Sequence, residues 1–160
     1  MTSSDRTTPK PTFNAGIIVI GALLLGSVDA LFAILFWAPH GVSAMRIFQS
    51  IAAGALGKAS YAGGAETAWL GAGFHYFIAL LMVSAYVLLS RQWAALVSKP
   101  WLCGAAYGVF LYLFMNFIVL PLSAVGLPKF DNPWWVGSSV LVHAGLGLIC
   151  AFTARRTLRT

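Results

Sequence analysis

The sequence predicts an all-α membrane protein: a bundle of four transmembrane helices, with one further short helix between the first and the second. Three observations carry this. Charged residues make up 9% of the chain and hydrophobic residues 59%, whereas a soluble domain is about a quarter charged. The mean hydropathy is +0.83, so polar surface is too scarce to coat a water-soluble globule of 160 residues. The apolar residues also fall into four runs, 15–37, 65–89, 101–122 and 134–152. Each is close to the roughly 20 residues that a helix needs to cross a hydrocarbon core of about 30 Å.

Residues 1–14 form a polar tail, MTSSDRTTPKPTFN, ahead of the first span at 15–37. That run exceeds the h-region of a secretory signal, about 7–15 residues, and is expected to remain in the membrane. The segment 43–58, SAMRIFQSIAAGALGK, is too short to span. Its Met45, Phe48, Ile51, Ala52 and Ala55 share one helical face, and Arg46, Gln49 and Ser50 the other. It is therefore expected to be an interfacial or re-entrant helix. A Gly-rich turn leads to the second span, 65–89, where Glu66 complements the helix N-terminus. The third span, 101–122, reaches Pro121, which ends or kinks it. The connection VGLPKFDNPWW is irregular, and the fourth span, 134–152, is followed by a basic tail, 153–160. Within lipid each backbone polar group must be paired inside its own segment, so the runs are helices. They are too long for barrel strands of about 10 residues. Residues 15–152 thus form one bundle domain.

The charge of +6 does not point to nucleic acid, because the basic residues sit in short clusters beside apolar runs, as membrane anchors do. Arg6, Lys10, Arg91, Lys99, Arg155, Arg156 and Arg159 fall on one side of a four-span topology, and Arg46, Lys58 and Lys129 on the other. Positive-inside then predicts a cytoplasmic membrane protein with both termini in the cytoplasm. Cys103 and Cys150 lie inside apolar runs without a CxxC motif and are expected to be buried thiols. The tryptophans near the span ends suit the lipid interface. The chain has no GxSxG, HExxH, Walker or GxGxxG pattern, so the sequence leans away from an enzyme.

Four strongly polar side chains stand inside the spans: Asp29, His75, Asn116 and His143. Counted from the outer end of each helix at about 1.5 Å per residue, the first three lie roughly 12–15 Å deep and Asn116 about 8 Å deep. Each sits on a stripe of small residues: Ala22, Gly26 and Ala33 with Asp29; Gly71, Ala72 and Ala79 with His75; Gly108 with Asn116; Ser139 and Gly147 with His143. Such stripes let membrane helices approach closely, which aims the polar groups inward. An ionisable group at that depth costs roughly 2.5–3.5 kcal/mol on insertion scales. Its retention asks for a use. The pair His75 and His143 suits axial ligation of a b-type haem. With Asp29 they suit a divalent metal, Asn116 orienting a ligand from outside. All four suit a proton relay open to the outer side. The alternative is a structural or accessory protein in which the cluster only locks helix packing. Lipid is the expected surrounding, and the small-residue faces suit a membrane-protein partner or a second copy.

The succession SVDALFAILF, SIAAGALGKASYAGG, LGAGFHYFIAL, YGVFLYLFMNFIVLPLS and LVHAGLGL resembles small bacterial four-span inner-membrane proteins of unassigned function, broadly the YagU-like group. The resemblance covers most of 15–152. It implies a polytopic inner-membrane protein and supplies no catalytic residue.

Overall fold

A computed structural model describes residues 14–158. The expected N-terminal tail, with Arg6 and Lys10, lies almost wholly outside the described residues, as does Arg159. All regular structure among the described residues is helical, and four helices are long and apolar enough to cross a membrane. We label α1 (Ala15–Trp37), α2 (Ala44–Leu56), α3 (Gly64–Gln92), α4 (Pro100–Leu122) and α5 (Pro133–Thr157).

The helix starts follow local capping chemistry. Asn14, Ser43 and Asn132 each place a side-chain oxygen on a backbone N–H of the first turn of α1, α2 and α5, which satisfies donors that have no partner within the helix. The ends depart from the hydropathy reading. α3 runs on to Gln92 through Arg91, and α5 runs on to Thr157 through Arg155 and Arg156, so most of the expected basic tail is helix. Hydropathy stops at the first charge, but a cation in the last turn complements the helix dipole and does not end the helix.

In α4 the regular helix Pro100–Phe114 widens into a π turn, Met115–Val119, before its last residues Leu120–Leu122. Pro121 explains the position of the turn: it lacks an N–H and crowds the carbonyl four residues back, and a π turn relieves that crowding.

Neighbouring spans alternate in direction. Thr153 lies at Gly21 near the start of α1, while Trp135 stacks on Phe32 near its end, so α1 and α5 are antiparallel. α5 is the central helix, packed on α1, α3 and most extensively on α4. The α4–α5 crossing is a backbone contact. A Cβ at Gly108 would overlap the carbonyl of His143, and one at Gly147 would overlap that of Gly104. GAAYG at 104–108 is therefore a packing device.

α2 packs along α3 on a face different from the one expected. Gln49 is buried with Ala52 and Ala53, its amide donating to Gly64 O at 2.9 Å, while Met45 is 48% exposed. The Gln49 amide has a partner there, so its burial carries no unpaired polar group.

The bundle has a dry core between α1, α3 and α5 in one half and an opening between the same helices in the other; a further opening of about 370 Å³ lies on the flank of the packed half, between α1, α4 and α5. The continuous core comes from Ile18, Ala22 and Leu25 of α1, Ala79, Val83, Tyr86 and Val87 of α3, and Leu146, Cys150, Ala151 and Ala154 of α5. Those residues occupy the half that holds the α1 start and the α3 and α5 ends. Outside, Ile20, Leu31, Leu35, Phe77, Leu102 and Leu141 are exposed. An apolar periphery of this extent fits a lipid surround.

Candidate functional site

Beyond that core, toward the α1 end, the helices enclose a cavity of about 300 Å³. Asp29, His75 and His143 all line it, each from a different span. The predicted inward aim of these three is therefore what the fold produces. The same stripes hold: Gly26, Gly71, Ala79 and Ser139 are buried.

His75 is placed by a close approach of α3 to α1. The ring of Tyr76 lies where a Cβ on Gly26 would be, 2.7 Å from that position, so only glycine admits it. At that crossing His75 Nε2 meets the Gly26 carbonyl at 2.8 Å, and Ser27 Oγ and Tyr76 Oη are 3.0 Å apart. A carbonyl only accepts, so Nε2 of His75 carries a proton and a neutral ring keeps Nδ1 as its lone-pair nitrogen. His143 is set the opposite way. Its Nδ1 donates to Ser139 O one turn back, at 2.9 Å, which leaves Nε2 as the lone-pair nitrogen of a neutral ring. Tyr112 stands edge-on to that ring, with centroids 5.4 Å apart.

Asp29 is half-buried and has no hydrogen-bond or ion-pair partner among the described residues. Neither histidine bonds to it. Three groups share a cavity, but no three His, Cys, Asp or Glu among the described residues are spaced to hold a metal ion. The expected His75–His143–Asp29 metal set is therefore not assembled. Haem ligation by His75 and His143 would require His75 to leave Gly26 or to ligate through Nδ1.

Asn116 does not join the site. It falls in the π turn and donates its amide to Tyr112 O at 2.8 Å, so it is satisfied within its own helix. Its neighbour Met115 lines the cavity in its place.

Several lining residues are not evident from the sequence. Ser50, with Ile47 and Ile51, lines the cavity from α2, although the helical period puts Ser50 on an outward polar face. Trp37 and Trp135, at span ends, pack on each other, 5.3 Å apart, and with Phe32 they line the cavity. Trp134, next to Trp135, is 82% exposed and does suit the interface. Ser139 stands out, since the sequence marks it only as part of the small-residue stripe beside His143. It is 3% exposed and lines the cavity, and its Oγ has no hydrogen-bond partner. The neighbouring Ser138 Oγ bonds back to Trp134 O at 2.6 Å. The signal is present in the spacing, since Trp135, Ser139 and His143 are separated by four and lie on one helical stripe.

The two cysteines are free, with Cys150 buried. The chain matches no protein-family model, no curated protein and no solved structure to which it was compared.

Proposed function

We propose that this is a multi-pass protein of the bacterial cytoplasmic membrane, with cytoplasmic termini, whose outer-half cavity is a binding or proton-relay site built on Asp29, His75 and His143. The convergence of one unpartnered carboxylate and two imidazoles, from three separate helices, on a single cavity carries this reading. Groups that only locked helices together would bond to one another, and these do not. Each imidazole offers one fixed N–H and one lone pair, the equipment for passing a proton. The placement of the basic residues supports the orientation: Arg91, Lys99 and Arg155 lie at the dry end of the bundle, and Arg46 and Lys58 at the other.

Histidine NMR tests this. The protein carrying ¹⁵N-labelled imidazoles is placed in lipid nanodiscs and titrated from pH 5 to 8. In a relay site both cavity rings titrate, and Asp29→Asn moves both midpoints. Rings that ignore both the pH and the substitution would overturn the reading. An absorption spectrum of the same sample covers haem, through a Soret band lost in both His75→Leu and His143→Leu.

A second reading has one specific observation behind it. The bonds His75–Gly26 and Ser27–Tyr76 tie α1 to α3, so His75 serves as a lock whatever else it does. In a pure lock, His75→Leu lowers stability and no ring titrates.

A further inference from the structure

The proposed site has a charge and a wall chemistry that together specify a ligand class. Asp29 is the only acidic group among the described residues lining the cavity, and no Lys or Arg lines it. Arg46, on α2, is engaged elsewhere: its guanidinium lies 3.9 Å over the Tyr61 ring and bonds Tyr61 O at 3.4 Å. A carboxylate at this depth is stabilised by a cation; the described residues bring no Lys or Arg to it, and the nitrogens of His75 and His143 that bond do so to backbone carbonyls.

The walls decide which cation. A desolvated inorganic ion needs several hard donors around it, and no three acidic or imidazole groups among the described residues are spaced to share one. Apart from Asp29, the two histidines, Ser50 and Ser139, the lining is apolar, with Phe32, Trp37 and Trp135 as its aromatic part and Leu25 and Ile78 among the others. Aromatic faces beside a carboxylate attract an organic ammonium, through the ring quadrupole and the ion pair together. A volume of about 300 Å³ is at the small end of ligand pockets, too small for a two-chain lipid but suited to a small amine or a lipid headgroup.

We propose that the cavity binds a small monovalent organic ammonium, with Asp29 as its counter-ion and Phe32, Trp37 and Trp135 as its aromatic wall. This rests on the cavity being a ligand site.

The test uses the purified full chain in mild detergent, with benzylamine, charged at pH 7, against benzyl alcohol, its neutral match in size. Tryptophan fluorescence and the unfolding temperature report binding. Benzylamine is expected to quench the fluorescence saturably and raise the unfolding temperature, with benzyl alcohol at least tenfold weaker. Asp29→Asn should weaken benzylamine at least tenfold, and Trp135→Phe a few-fold. Equal responses to the amine and the alcohol would overturn the proposal, and so would undiminished binding in Asp29→Asn. Mixed micelles containing phosphatidylethanolamine separate two sources of the same chemistry: displacement of benzylamine assigns a lipid headgroup, and no displacement assigns a free amine. If benzylamine fails while the imidazoles titrate, the ligand class is wrong and the relay stands. If both fail, the cavity is not a site.

Discussion

Replacing Asp29 should stabilise the protein, and this is the sharpest way to divide a functional carboxylate from a structural one. On insertion scales an aspartate at mid-membrane costs about 2.5–3.5 kcal/mol and a leucine gains about 0.3–0.6 kcal/mol, so a full exchange in lipid is worth about 3–4 kcal/mol. Asp29 is half-buried beside a cavity and escapes part of that cost. It recovers none through a bond, because it has no hydrogen-bond or ion-pair partner among the described residues. Asp29→Leu should therefore raise stability by about 1–2 kcal/mol, or about 2–8 °C in the unfolding temperature of a chain of this size. The isosteric Asp29→Asn should gain less, since an unpaired amide remains. Thermal unfolding in detergent followed by near-ultraviolet circular dichroism measures both. A loss of more than about 1 kcal/mol in both variants would refute the reasoning, because it would mean that the carboxylate has a favourable partner in the folded protein.

Gly108→Ala should destabilise by about 1–3 kcal/mol, because the added Cβ would meet the His143 carbonyl at the α4–α5 crossing. Gly137→Ala, where a Cβ meets nothing within 4 Å, should gain up to about 1 kcal/mol from helix propensity; unfolding of the two variants side by side checks the contrast. Ser139→Ala should raise stability, by up to about 1–3 kcal/mol, since its buried Oγ has no bond to lose, and a measurable loss would reveal a partner. His75→Leu should cost about 0.6 kcal/mol and at most about 1.7 kcal/mol, the range of single interhelical bonds in a membrane protein, read as a shift in the detergent unfolding midpoint.

The architecture is legible in the sequence because the bilayer imposes it. Four runs near the spanning length allow few other folds, and the bounds of α1 agree to the residue. Helix rotation is legible for a related reason: small residues mark the faces where backbones meet, and Gly26, Gly71 and Gly108 all lie on such faces. Asn116 departs from its expected role because its amide is taken up locally, by Tyr112 O one turn back at the start of the π turn, a bond that small-residue spacing does not reveal. Gln49 departs because polarity does not equal exposure: its burial depends on Gly64 O, a long-range partner that local pattern does not reveal. Trp135 and Trp134 differ by one position and have opposite environments, a distinction that composition at a span end does not contain.

The division of the bundle into a dry half and an open half is the least legible feature and bears most on function. Core residues and cavity residues are weighted to opposite ends of α1, α3 and α5, and meet at Leu25 and Ala79, which belong to both. The dry half contains Tyr86, Val83 and Cys150 at 0% exposure and binds the three helices without help from the polar groups. It can therefore carry the fold while the open half carries residues that oppose it. Were Asp29, His75 and His143 needed for assembly, they would be expected to bond with one another across the helices. Instead His143 bonds within its own helix, Asp29 bonds to nothing among the described residues, and only His75 crosses to a neighbour. One interhelical bond is small against the packing of the other half, so the lock accounts for His75, and the edge contact with Tyr112 for part of His143, but Asp29 is left without a structural reason to be there.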